Sequence, residues 1–273
     1  MRNLAIRSLK KCESLLESLR KRIDSKHYHR SINIELPNSP KQWENVYLTG
    51  IPKVSAVNDI VARKIIELTD GGDVILEAGC GSGELSAQIS LTGRNIILAD
   101  FSDKILQRAE MLFSQSSLSR PKLVNCDLTK LLPFESDAVD VVWSSGVLEH
   151  WTDEELVPIV TEMKRISRKR VISLVPYSGS LFYRLGKHLL EKSGRWPYGR
   201  EIPRHSLAKV FMQAGCNDVF EEVIWTNWPP RFLSMYEPKI GNEVLSWWES
   251  LPEDDPVKYK QGYLLLTVGN TAK

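Results

Sequence analysis

Cysteine is scarce in this chain. The four residues Cys12, Cys80, Cys126 and Cys216 include no CxxC pair, and no histidine stands at metal-ligand spacing from any of them. That pattern excludes a disulfide framework and a zinc site, and predicts reduced thiols in a reducing compartment with no bound metal. No stretch approaches the roughly 20 apolar residues that span a bilayer. The start, MRNLAIRSLKKCESLLESLRKR, lacks the uninterrupted apolar core of a secretory leader, so a cytoplasmic location is the expectation. Internal repeats and low-complexity tracts are absent as well. Net charge is small, +2 from 36 Lys+Arg against 34 Asp+Glu, which argues against an electrostatic grip on nucleic acid across the whole surface.

What is present is an ordinary globular mixture, 42% hydrophobic and 26% charged in 273 residues, enough for one α/β domain with an appendage. The charge is uneven. Residues 1–30 carry nine Lys/Arg against three Asp/Glu, and Ala5, Leu9, Cys12, Leu16, Leu19 and Ile23 recur at spacings of four and three. That is one stripe of a basic amphipathic helix. Such a helix packs on its own domain or on a second copy of the chain; it also suits an anionic membrane surface or a nucleic acid. Residues 31–53 hold three prolines with Trp43 and Tyr47, and read as a linker folded over something rather than a regular element. The division is therefore 1–53, an N-terminal helix and linker, and 54–273, the main domain.

From residue 55 the pattern decides the fold class. Val57, Ile60, Val61, Ile65, Ile66 and Leu68 recur at helical spacing and end at Thr69-Asp70-Gly71-Gly72. Short β-branched runs follow at 73–78, 95–99, 122–125, 139–143, 170–175, 219–225 and 263–268. Helical periodicity fills 83–90, 103–114 and 153–167, with a shorter turn or helix near 129–132. Strands alternating with helices predict a Rossmann-like, doubly wound, mainly parallel seven-stranded sheet covered on both faces. The last two strands lack an ordinary crossover helix, which predicts an antiparallel last strand. Residues 176–205 and 227–261 exceed simple connections and start where strands end, so they are the expected caps over a ligand crevice.

The chemistry concentrates after the first strand. Val74-Ile75-Leu76 runs into Glu77-Ala78-Gly79-Cys80-Gly81-Ser82-Gly83, then into a helix from Glu84, with Asp100 closing the next strand. Glycines permit a tight turn and a close approach of ligand to backbone, the helix start offers free N–H groups, and a carboxylate in that position accepts from ribose hydroxyls. A nicotinamide fingerprint would place Gly or Ala at position 84, where Glu84 stands.

The pattern Glu-x-Gly-x-Gly-x-Gly at Glu77, Gly79, Gly81 and Gly83, with Asp100, resembles the first motifs of class I S-adenosylmethionine-dependent methyltransferases. Cys126-Asp127-Leu128 is similar to the place where that family holds the adenine amino group. Residues 139–150, ending Ser144-Ser145-Gly146-Val147-Leu148-Glu149-His150, resemble its fourth strand and following turn, most closely in the small-molecule, type 11-like branch. The resemblance covers about 58–175 well. It implies S-adenosylmethionine as cofactor and S-adenosylhomocysteine as product, held by Glu77, Gly79, Cys80, Gly81, Gly83, Asp100, Phe101, Asp127, Leu128, Ser144 and His150. Glu77 either orders the glycine loop or approaches the methionyl amino group; Asp127 either holds adenine or caps the next turn. Cys80 reads as a small residue beside the ligand and Cys126 as packing.

Proton-transfer candidates by position are His150, His205 and Tyr177, with Glu149 beside them. His150 alternatively packs under Trp151, and His205 alternatively starts a helix. The segment 177–205 interleaves five aromatics with Arg184, Lys187, Lys192, Arg195, Arg200 and Arg204, which points to a small aromatic or acidic acceptor, or else to a solvated basic face. The turn after the fourth strand is not the Asn/Asp-Pro-Pro-Tyr/Phe that clamps a planar nitrogen, and with the neutral body this disfavours nucleic acid. Methyl transfer to a small organic molecule, in a monomer or homodimer, is the expected function. The alternatives are a non-catalytic binding protein of the same fold and an RNA methyltransferase docking through the basic helix.

Overall fold

The computed structural model describes residues 39–48, 59–202, 204–258 and 261–272. The basic amphipathic helix expected within 1–30 lies outside the described residues. Seven strands form one sheet: β1 Val74–Ala78, β2 Asn95–Asp100, β3 Lys122–Asn125, β4 Val139–Ser145, β5 Ser167–Pro176, β6 Asn217–Ile224 and β7 Leu264–Asn270. Their order is β3-β2-β1-β4-β5-β7-β6. The first five pair in parallel, and β7 runs antiparallel to both β5 and β6. The seventh strand is thus the antiparallel one. It sits inside the sheet and leaves β6 at the edge.

Around the sheet lie α1 Pro40–Tyr47, α2 Asp59–Glu67, α3 Glu84–Ser90, α4 Asp103–Gln115, α5 Asp153–Ile166, α6 Leu181–Lys192, α7 Ala208–Gln213, α8 Arg231–Tyr236 and α9 Pro238–Ser250. Both faces are buried because alternate strand residues feed two separate cores. Leu76, Ala78 and Val142 pack against Leu156, Ile159 and Met163 of α5. Ile75, Val141 and Trp143 face Ile65 of α2, Ala87 of α3 and Phe113 of α4 on the other side. Strands with no solvated face read as near-continuous apolar runs. Helix ends are set locally: Ser102 accepts from the Ile105 amide, and Thr152 and Glu155 form a reciprocal capping box at the start of α5.

The stretch 31–53 departs from its expectation, since α1 is a regular helix within it. Its prolines read as breakers, but Pro40 stands in the first turn, where its fixed φ suits a helix and its missing N–H has no intrahelical partner to lose. One turn on, the buried Trp43 and the half-buried Tyr47, four residues apart, share a face and hold the helix to the domain. The region near 129–132 is a turn, not a helix.

The two long segments contain α6, and α8 with α9. They build a small core of their own: Trp248 is fully buried, donates its indole N–H to the Thr226 carbonyl at 3.0 Å and meets Phe182 edge-on. Gly186 of α6 lies directly against Phe232 of α8, where any side chain would collide. Among the described residues no helix is long and apolar enough to cross a membrane.

Candidate functional site

The strand order reverses between β1 and β4: β1 leads outward through β2 to β3, and the chain then returns to β4 on the other side. Crevices open at such a point, beyond the carboxyl ends of the strands. A cavity of about 800 Å³, including its mouth, lies there.

Its floor is the glycine loop. Gly79 and Cys80 donate their amides to the Ala99 carbonyl at 2.8 and 3.0 Å, tying the loop to β2. Gly79, Gly81 and Gly83 all take left-handed backbone angles, φ 73°, 51° and 72°. Space excludes a side chain too. A Cβ on Gly79 would stand 2.7 Å from Val147, one on Gly81 2.8 Å from the Tyr47 ring, and one on Gly83 2.9 Å from Ala109 of α4. Alternating glycines thus answer three separate close approaches, of which the third locks α3 to α4.

Asp100 closes β2 with its carboxylate buried, accepting from the amides of Gly81 at 3.3 Å and Ser102 at 3.1 Å. Burial pushes its pKa up to about 6 against those amide contacts. Glu77 lies behind the loop with Oε2 lacking any hydrogen-bond partner. Burial raises its carboxyl to about 8, opposed by Ser86 and reinforced by Asp100. At neutral pH it therefore keeps its proton, and a cation entering the cavity would favour its release.

Of the residues expected to hold cofactor, Gly79, Asp100, Phe101, Asp127, Leu128 and His150 line the cavity. Glu77, Cys80, Gly81, Gly83 and Ser144 stand in the layer behind. Ser144 is buried with its hydroxyl unpaired, and the Cys80 thiol is pushed far up by burial, unsuited to act as a nucleophile. Asp127 caps the next turn, its Oδ1 accepting from the Thr129 amide and hydroxyl at 2.9 and 2.7 Å, and it also lines the cavity. Burial works to raise its pKa, but Thr129 and Lys130 hold it below the usual value.

His150 is fixed by one hydrogen bond. Its Nδ1 lies 2.6 Å from the Arg200 carbonyl, which can only accept, so Nδ1 carries the hydrogen and Nε2 is left as an acceptor. Nε2 is buried without a partner, and burial lowers the pKa, keeping the ring neutral. The Trp43 ring meets it edge-on at 4.9 Å and Trp151 at 6.5 Å, so His150 lines the cavity and packs beside Trp151 as well.

Tyr177 and His205, expected as proton carriers, are not among the lining residues. Tyr177 turns inward at the end of β5, where its ring lies across the side-chain-free Gly179 and joins the α5 core. His205 stacks on it at 5.2 Å from the exposed side, before α7 begins. The sequence reading also missed lining residues. Cys126 packs against the core as read but also faces the cavity, as do Thr129, Val147 and Trp151. Val147 had a legible signal, the glycine before it, whose φ of 70° turns the chain across Gly79. Trp43 and Tyr47 come from α1, far away in sequence. Glu44 secures that helix by accepting from Ser102 and pairing with Lys104, both at 2.9 Å.

The basic residues of 177–205 are largely engaged within the protein. Lys187 is buried against Glu191 and lies 3.8 Å from Glu201, Arg204 is buried against Asp153, and Arg195 donates to the carbonyls of Met235 and Tyr236. The acidic-acceptor expectation loses those three carriers.

The sheet order, the glycine loop and the acid closing β2 define a class I, S-adenosylmethionine-dependent methyltransferase fold. Residues 76–174 match the family model described as a methyltransferase domain. The chain is similar to the N-terminal Xaa-Pro-Lys N-methyltransferase 1-B of Xenopus laevis, 27% identical over 106 residues, 38% of this chain and 47% of that protein. It is 24% identical over 168 residues to the magnesium-protoporphyrin O-methyltransferase of Synechocystis sp., covering 56% of this chain and 68% of that one. The chain thus spans about half the length of the first of these relatives. The solved structure of the Synechocystis magnesium protoporphyrin IX methyltransferase with bound S-adenosylhomocysteine shares the fold with a TM-score of 0.52 at 17% identity, over 93% of this chain and 98% of that one.

Proposed function

We propose that this chain binds S-adenosylmethionine in the cavity between β1 and β4 and transfers its methyl group to a small organic acceptor. The observation that carries the reading is the joint geometry of three left-handed glycines and the buried Asp100 carboxylate at one crevice. The residues fit the cofactor: a backbone cradle that a Cβ would fill, a carboxylate for ribose hydroxyls, apolar walls at Phe101, Leu128 and Val147, and the unpartnered Glu77 Oε2 behind the loop. Asp127 and the adjacent Leu128 backbone stand at the adenine end. Bound there, S-adenosylmethionine supplies an electrophilic methyl carbon on a sulfonium.

The protein's own share is positioning. Trp43, Tyr47 and Trp151 exclude water, and a fixed, neutral His150 presents Nε2 to orient an acceptor hydrogen. No strong base is required for an acceptor whose lone pair is free. Calorimetry tests the reading directly. S-adenosylhomocysteine should bind at micromolar strength, and Gly81→Val, which drives a side chain into Tyr47, should abolish the heat while the protein stays folded; no heat with the wild-type chain removes the proposal.

A further inference from the structure

Beside the cavity lies a buried group of charges that does not balance. Glu149, in the turn after β4, is 2% exposed, and its Oε2 has no hydrogen-bond partner. Glu201 is buried too, accepting from the Tyr183 hydroxyl at 2.6 Å. The cations nearby, Lys187 and Arg204, are already bound to Glu191 and Asp153, and Lys187 reaches Glu201 only at 3.8 Å. In this network Glu149 and Glu201 are buried beside two buried cations, each of which already pairs with a carboxylate nearer the surface, Glu191 or the half-exposed Asp153. A buried charge without a partner is costly, so such a site favours either protonation or an incoming cation. Burial drives the Glu149 carboxyl far up, with Glu201 adding to it, and its own backbone amide, Arg204 and Lys187 offset only part of that rise.

Glu149 does not line the cavity but stands directly behind Gly146, which does. Gly146 lines the cavity, and a Cβ built on it would find Glu149 Oε1 at 3.7 Å as its nearest neighbour, with nothing else within 4 Å beyond the adjoining chain. With no side chain at Gly146, only that residue's backbone separates the cavity from the Glu149 carboxyl. The cap closes over the same place: the Ile202 amide donates to the Glu149 carbonyl at 2.7 Å, and the Arg200 carbonyl takes the His150 hydrogen. Three tyrosines stand nearby. Tyr47, Tyr198 and Tyr263 lie close enough to one another and to these carboxyls to feel their charge.

Resting on the reading that the cavity holds the methyl donor, we propose that the acceptor is an amine, whose ammonium form enters at Gly146 and is held by the Glu149 carboxylate, with Glu201 adding negative field and the aromatic rings facing the cation. Carboxylate and aromatic faces together are what an ammonium recognises. The step balances. An ammonium N–H proton passes to the Glu149 carboxylate, leaving a neutral acid and a neutral amine; the freed lone pair forms the new N–CH₃ bond as the S–CH₃ bond breaks, and the positive charge moves from sulfur to nitrogen. A tetrahedral aliphatic nitrogen needs no planar clamp, in keeping with Ser144-Ser145-Gly146-Val147 in that turn.

The test uses the full chain saturated with S-adenosylhomocysteine, its binding measured first by calorimetry. Benzylamine, phenethylamine and tryptamine are then titrated, each beside its isosteric alcohol and carboxylate. At least one amine should bind about tenfold more tightly than its alcohol, and the carboxylates should bind weakest. Glu149→Gln, close in shape, should remove the amine preference while S-adenosylhomocysteine affinity and melting temperature hold. Amines that bind no better than the alcohols or carboxylates in every set, including none detected, overturn the proposal, as does an amine preference unchanged in a folded Glu149→Gln. If that variant fails to fold, the wild-type comparison alone decides. Failure of S-adenosylhomocysteine to bind is a separate result and overturns the reading beneath it.

Discussion

Cofactor affinity should fall in mild acid, and Asp100→Asn should flatten that fall. Asp100 is buried and its pKa stands at about 6 rather than 3.8. An ionised carboxylate accepts from ribose hydroxyls on both oxygens, whereas a protonated one gives up part of that capacity. With a pKa of about 6, roughly one carboxyl in eleven is ionised at pH 5 and ten in eleven at pH 7, so binding that requires the anion weakens about tenfold, or about 1.4 kcal/mol. Groups of S-adenosylhomocysteine do not titrate in this window. His150 is lowered from its ordinary 6.5 and also faces the cavity, so the variant is needed to separate the two. Calorimetric titration with S-adenosylhomocysteine at pH 5, 6 and 7 and constant ionic strength should give the tenfold slope in the wild type. Asp100→Asn should bind more weakly at pH 7, by about 1.5–3 kcal/mol for a charged acceptor lost, and vary little with pH. A flat wild-type profile, or an equal slope in the variant, refutes the reasoning. The same raised pKa acts on folding with the opposite sense: the native state holds this proton more tightly than the unfolded chain, so its contribution to stability declines as pH rises from about 4 to about 6 and is constant above.

Two further substitutions separate structure from ligand. Gly83→Ala meets a left-handed φ of 72° and a contact of 2.9 Å to the Ala109 methyl; strain of about 1–2 kcal/mol plus the clash should lower the melting temperature by several degrees, and an unchanged melting curve would show the loop to be adaptable. Thr152→Ala removes the capping box of α5; calorimetric melting should show a loss of about 1 kcal/mol, with S-adenosylhomocysteine affinity within twofold of wild type, because neither partner lines the cavity.

Much of the fold was legible because the sheet is covered on both faces. β-branched runs such as 74–76 and 141–143 are apolar regardless of which side each residue takes, and helical spacing between them marks the crossovers. The position of β7 between β5 and β6 was not legible. Hydrophobic pattern shows that 263–268 is a strand, but its neighbours depend on pairing across the chain from Arg170 to Asn270. Helix α1 was misread for a local reason: proline breaks a helix from within yet starts one from its first turn, and only the burial of Trp43 tells the two cases apart.

The site divides along the same line. Glycine spacing and Asp100 were readable because the cofactor side is built by one short stretch and the next strand, where sequence distance and spatial distance agree. On the acceptor side they do not agree. Glu149 meets Lys187 and Glu201 of the cap, and Tyr47 arrives from α1, so its character depends on which charges cancel after folding. In sequence, residues 177–205 are rich in Arg and Lys and suggest an anion; in the structure the buried cations among them are bound to carboxylates, and the uncompensated charge is negative. Counting a segment's charges gives the sign of a solvated surface. A buried site takes its sign from the groups left without partners, and here the group behind Gly146 is an acid, Glu149, one of whose oxygens lacks a partner.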